Sequence, residues 1–269
     1  MPAVFVPHGG GPWPFIRNPF GEPQELDQLA QYLRSLRSLP GTTPRALLVV
    51  SGHWEEPVPT VMTSEHPPML YDYYGFPQES YTVTWPAPGD PGLAGRVRRL
   101  LESAGFKTGV DPARGFDHGA FVPLKLTYPE ADIPTVQLSL KRGLDPAEHI
   151  AIGKALIPLR NEGVFIIGSG MTYHNMRTLM ANRRGRNDAD EGSERFDSWL
   201  EEVLTKTPPA KRAAALAAWD QAPAARAAHP REEHLLPLHV AVGAAGDDPG
   251  KRTLKVVVMG AVESAFRFG

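Results

Sequence analysis

The chain has 269 residues, a formal net charge of -2 and no cysteine. That length buries one large core or two small ones, and the near-neutral charge leaves no basic footprint for nucleic acid. The missing thiols exclude disulfides, thiolate metal sites, cysteine nucleophiles and cysteine-held iron–sulfur clusters. No run of about 18 apolar residues is present to span a membrane, and no basic segment followed by an apolar stretch marks a secretion signal. The expectation is therefore a cytoplasmic protein with no membrane partner. Its 28 prolines and 26 glycines are scattered rather than gathered into a linker, so no domain boundary is drawn.

Residues 3–6 (Ala-Val-Phe-Val) read as a buried strand, followed by Pro7 and the glycine turn His8-Gly9-Gly10-Gly11. Leu26, Leu29, Leu33 and Leu36 recur at three- and four-residue spacing and predict a helix over about 22–39, ended by Pro40 and Gly41. Ala46 to Val50 is an uninterrupted apolar run that stops at Ser51-Gly52 and delivers His53-Trp54. Such a run is the pattern of a parallel strand buried on both faces. His53 is then expected just past its carboxyl end, where open α/β sheets place their chemistry.

Residues 56–90 are rich in proline and aromatics and form a long excursion that lines a site or an oligomer contact. Within it Tyr81 to Trp85 alternates like an edge strand. A helix is expected over 91–104. A short one is expected from Ala120 to Leu126, broken near Pro123. His118 lies at the start of the latter, beside Asp117. That is either an acid/base pair or a helix cap with an exposed histidine. Residues 133–140 form the next strand, and Asp145-Pro146 opens a helix to about Leu159 with His149 on its surface.

Val164 to Ile167 repeats the strand pattern and leads through Gly168-Ser169-Gly170 to His174-Asn175. Residues 183–188 read as exposed and polar, 196–204 and 209–219 as helices, and 235–245 as a buried helix. A strand at 254–259 closes the chain. Strands alternating with helices predict an α/β fold, a single domain with a mostly parallel central sheet, helices on both faces and the active site at the strand carboxyl ends.

The histidines carry the chemistry. His8 and His53 end different strands, and a parallel sheet brings such ends together. With the Glu232-Glu233 pair they supply two imidazoles and a carboxylate, a donor set suited to Zn or Fe(II) with open positions for catalysis. His234 and His239 are five apart and lack the HExxH spacing. Gly-x-Ser-x-Gly is absent, and neither phosphate-loop nor dinucleotide fingerprints occur.

Five motifs stand in order: Pro7-His8-Gly9-Gly10, Ser51-Gly52-His53-Trp54, Phe116-Asp117-His118-Gly119, Gly168-Ser169-Gly170 with His174-Asn175, and Glu233-His234-Leu235-Leu236-Pro237-Leu238. Together, over nearly the whole chain, they resemble the class III extradiol ring-cleavage dioxygenases, nearest to the 4,5-DOPA dioxygenase-like branch. The resemblance implies one catalytic domain over 1–269 and a non-haem Fe(II) site. It makes His8 and His53 metal ligands, Glu233 the carboxylate ligand, and His118 and His174 the acid/base residues. It also allows Zn(II), with His174 or His234 joining the ligands. Glu232, Glu233 and His234 are consecutive, so the sequence leaves open which of them faces the metal.

The implied substrates are a small catechol-type aromatic and O₂, opened to a semialdehyde, and a homo-oligomer is allowed. In this scheme His174 removes a catechol proton and His118 donates one during O–O cleavage. Both tasks suit an imidazole near neutrality. Two other readings stand beside it: a zinc-dependent hydrolase with Glu232 or Glu233 as base, and a metal-free binding module.

Overall fold

The computed structural model describes residues 1–17, 22–182 and 190–269. Its strands are β1 (Ala3–Pro7), β2 (Ala46–Glu56), β3 (Thr60–Met62), β4 (Gly109–Asp111), β5 (Thr135–Lys141), β6 (Val164–Gly170), β7 (Gly250–Val258) and β8 (Ala261–Phe268). Among the described residues they form one sheet in the order β4-β3-β5-β2-β6-β1-β8-β7. The centre is parallel, with β2 between β5 and β6 and β1 beside β6. The antiparallel β7–β8 hairpin joins it through β8 and β1.

The helices are α1 (Pro23–Ser35), α2 (Pro91–Ser103), α3 (His118–Thr127), α4 (Pro146–Ala155) and α5 (Ile157–Asn161), then α6 (Met176–Asn182), α7 (Glu191–Thr205), α8 (Pro209–Ala217), α9 (Ala225–Ala228) and α10 (Leu236–Ala245). They cover both faces of the sheet. Along β2 the side chains alternate: Leu47 and Val49 pack with α1 and α3 on one face. Leu48 and Val50 pack with α2, α4 and α10 on the other. All five apolar residues of Ala46–Val50 are fully buried. Each Val or Leu so buried contributes roughly 1.5–3 kcal/mol, which makes the strand a rigid mount. The expected α/β architecture is what the chain adopts.

Several local expectations are corrected. β2 does not stop before His53 but runs to Glu56, and its register against β5 shifts between Val50 and Glu55. His53 therefore sits in a bulge rather than after the strand. Tyr81–Trp85 is not a strand, because Gln78–Thr82 winds into a 3₁₀ turn. Pro123 does not break α3. A proline there deprives the Gly119 carbonyl of its helical donor, and the Ser169 hydroxyl donates to that carbonyl instead.

The helix from Asp145 divides at Leu156, before Pro158. His149 is buried, not superficial: its Nε2 accepts from the Lys141 amide at 3.1 Å and its Nδ1 donates to the Asp145 carbonyl at 2.7 Å. The helix from Pro209 ends at Ala217, followed by a 3₁₀ turn at Trp219–Gln221. The last strand is β8, not the 254–259 segment. The polar 183–188 segment lies outside the described residues.

Candidate metal centre

Three imidazoles meet at the carboxyl ends of the central strands. His8 follows β1, and its amide donates to the Gly170 carbonyl at 3.1 Å. His53 is presented by the β2 bulge, its amide donating to Ser51 Oγ at 3.1 Å. His234 precedes α10, and its carbonyl accepts from the Met171 amide at 3.0 Å. His53 Nε2 lies 3.1 Å from His8 Nε2 and 3.1 Å from His234 Nε2. Their ligand atoms all fall within 4.8 Å of one another.

The opposite ring nitrogens are committed to the protein. The single hydroxyl proton of Ser169 goes to Gly119, so Ser169 Oγ accepts from His8 Nδ1 at 3.1 Å. His234 Nδ1 donates to Glu233 Oε1 at 3.0 Å. His53 Nδ1 faces Asp72 Oδ2 at 3.5 Å. With the His8 and His234 protons held at Nδ1 and the Asp72 carboxylate facing that atom of His53, three Nε2 atoms converge on one another.

That arrangement fits a cation. The 3.1 Å spacings approach the ~3.3 Å edge of a tetrahedron built on metal–nitrogen bonds of about 2.0–2.1 Å. Burial pushes the His8 and His53 imidazoles well below the ordinary histidine range, reinforced by the neighbouring histidines. Burial also takes His234 down to about 4, with His174 beside it adding to the effect. Neutral imidazole is the form that ligates metals.

Two carboxylates stand behind the histidines. Glu233 is the acid of its pair that turns inward, whereas Glu232 bonds Arg226 at 2.9 Å. Glu233 Oε1 lies 3.0 Å from His234 Nδ1 and 3.3 Å from His174 Nδ1. It groups with those two rings, not with the His8–His53–His234 cluster. Burial works to raise the Glu233 carboxyl, but hydrogen bonds from His174 and His234 outweigh it and hold the group well below the carboxylate range. The His174 ring stacks on that of His234 at 3.4 Å.

Asp72 is the second carboxylate, and nothing in the sequence singled it out. Its Oδ1 accepts from the His118 amide at 3.0 Å and from His118 Nδ1 at 2.8 Å. The aromatic excursion that carries it was legible as a site wall, and an acid between Tyr71 and Tyr73 was the available signal. His118 is buried, with its ring 3.9 Å from that of His53.

Beneath both lies Asp117, fully buried. It caps α3 through the Ala120 amide at 3.1 Å. It also accepts from Ser51 Oγ at 2.8 Å, from Arg114 at 2.6 Å and from Gln137. Asp117 thereby ties the bulge bearing His53 to the helix start bearing His118. A cavity of about 360 Å³ opens over the cluster, and His8, His53, His118, His174 and His234 all reach it.

Three converging nitrogens, two further imidazoles each backed by a carboxylate, and an open cavity at the carboxyl ends of the central strands fit a metal-dependent enzyme with room for substrate. The chain belongs to a particular family of such enzymes: residues 7–269 match the catalytic LigB subunit of aromatic ring-opening dioxygenases. It is 44% identical over 210 residues to the 4,5-DOPA dioxygenase extradiol of Beta vulgaris, covering 76% of this chain and 75% of that one. It is 38% identical over 260 residues to dioxygenase tasH of Hapsidospora irregularis, covering 92% and 79%.

The crystal structure of an uncharacterized Escherichia coli K12 protein superposes with a TM-score of 0.78 at 31% identity over 100% of both chains. The chain is thus an extradiol ring-opening dioxygenase acting on an aromatic substrate with O₂. The hydrolase and the binding module are set aside. No helix among the described residues is long and apolar enough to cross a membrane.

Proposed function

We propose that this chain is an Fe(II)-dependent dioxygenase that opens the ring of a catechol-type substrate to a semialdehyde, with His8, His53 and His234 holding the metal. The observation that carries the reading is the convergence of three Nε2 atoms, while the Nδ1 atoms behind them face Ser169, Asp72 and Glu233. Glu233, expected by resemblance as a ligand, acts here by holding the His234 and His174 rings in place, as outer carboxylates do at metal sites. The same nitrogens accept Zn(II), which binds without supporting turnover. Held by His8, His53 and His234, Fe(II) would supply the redox-active centre that lets catechol react with O₂, the ring itself providing the electrons, so that no external reductant would be needed.

The protein's own groups manage position and protons. His174, its Nδ1 proton held by Glu233, keeps Nε2 as the base for a catechol hydroxyl. His118, oriented by Asp72, is the donor that assists O–O cleavage. Overall, one ring carbon–carbon bond breaks, both O₂ atoms enter the product, and a proton is released. The reading carries with it a single catalytic domain over residues 1–269 and a cytoplasmic compartment. The test is O₂ uptake by protein loaded anaerobically with Fe(II): one O₂ per catechol with a yellow product supports it, and no uptake with iron bound refutes it.

A further inference from the structure

The cavity has two kinds of wall. Its floor is imidazole. Its outer wall is hydrocarbon and thioether, built from Met171, Met176, Met180, Met259, Leu26 and Leu179. At about 360 Å³ it falls in the range of sites that enclose a drug-sized ligand, so a bare dihydroxybenzene ring leaves part of it unfilled.

The exposed apolar surface collects at the same place. Among the described residues, the large apolar side chains standing in solvent are Tyr74 (88% exposed), Val110 (48%), Met176 (45%) and Met180 (43%). All but Val110 line this cavity. Apolar surface concentrated at one point marks a binding site, and methionine adapts its shape to irregular apolar partners.

Charge is scarce among the described residues of that wall. None of the described lining residues is lysine or arginine. The carboxyl that lines it, Glu263, is 1% exposed and accepts from the Thr172 amide at 2.8 Å and hydroxyl at 3.1 Å. Burial pushes it up to about 8, so near neutrality it is an uncharged acid. Against these described residues a substrate carboxylate or ammonium leaves water without gaining an opposite charge, which is costly.

Resting on the ring-opening reading above, we propose that the preferred substrates are catechols bearing an uncharged apolar substituent, alkyl or aryl, rather than catechols bearing an amino-acid side chain. The substituent lies against the methionine wall while the two ring oxygens face the histidines.

The test compares 4-butylcatechol with L-DOPA on the Fe(II)-loaded protein, by kcat/KM from O₂ uptake and by calorimetric binding without oxygen. Each buried methylene is worth roughly fourfold, so the butyl compound is expected to lead by at least tenfold in both. Met176→Lys and Met180→Lys, at exposed positions the fold tolerates, are each expected to cut the butyl-to-DOPA ratio about tenfold. Equal or better binding and turnover of L-DOPA overturns the inference. Absence of O₂ uptake with every catechol refutes the ring-opening reading instead, and the binding order then decides this inference alone.

Discussion

His8, His53 and His234 each give one ring nitrogen to the protein and turn the other toward the cavity. Replacing any of the three with alanine is expected to abolish stoichiometric metal binding, read by elemental analysis of the purified variant. Glu233→Gln is expected to retain metal with affinity weakened by roughly 10–100-fold, the usual cost of losing an orienting carboxylate. Total loss of metal there would make Glu233 a ligand. His174→Ala and His118→Ala should keep metal and lose about 10²–10⁴ in turnover.

Glu263 gives a pH signature. Burial raises its carboxyl from 4.5 to about 8, so the folded chain holds that proton more tightly than the unfolded one. Its contribution is complete below about 4.5 and drains away as pH rises through about 8. Thermal melts should therefore show Glu263→Gln gaining on the wild type between pH 5 and 8. Parallel curves for the two proteins would contradict this.

At the scale of elements, the β2 bulge and the start of α3 share one design problem: two chain segments must come close enough to pair His53 with His118. Gly119 solves it. A Cβ there would strike Ser51 Oγ and lie 2.9 Å from His53 Cδ2. Alanine normally favours a helix over glycine by about 1 kcal/mol, but overpacking of this kind costs ~1–3 kcal/mol. Gly119→Ala is expected to weaken metal binding at least tenfold in a titration while the far-UV spectrum stays native. Unchanged affinity would remove the role given to the bulge.

The elements were unequally legible. β1, the first half of β2 and β6 announce themselves as apolar runs because both faces are buried. β3 and β4 have three residues each, too few for any period. β8 hides because Glu263 and Ser264 interrupt its apolar pattern while being buried as strand residues. Tyr81–Trp85 misled because aromatic alternation also suits a packed loop.

On the scale of the whole molecule, the site draws on residues from position 8 to position 263, so it exists only when the sheet is assembled. Its histidines were legible because His8, His53 and His118 adjoin glycines and His174 follows Gly168-Ser169-Gly170. Which acid faces them was not, since Glu232 and Glu233 are neighbours and only the folded chain sends one to Arg226 and the other to His234. Asp72 was invisible for the same reason: its partners His53 and His118 lie far along the chain.

A metal joining positions this distant stabilises the fold by mass action. Chelation is expected to lower the melting temperature by roughly 5–10 °C relative to protein held at about 100 times the dissociation constant. The most direct measurement is oxygen consumption after anaerobic Fe(II) loading, across a catechol panel. One O₂ taken up per ring opened, lost in His174→Ala with its iron retained, is the predicted result. Iron bound at the three histidines with no O₂ consumed for any catechol would contradict the account.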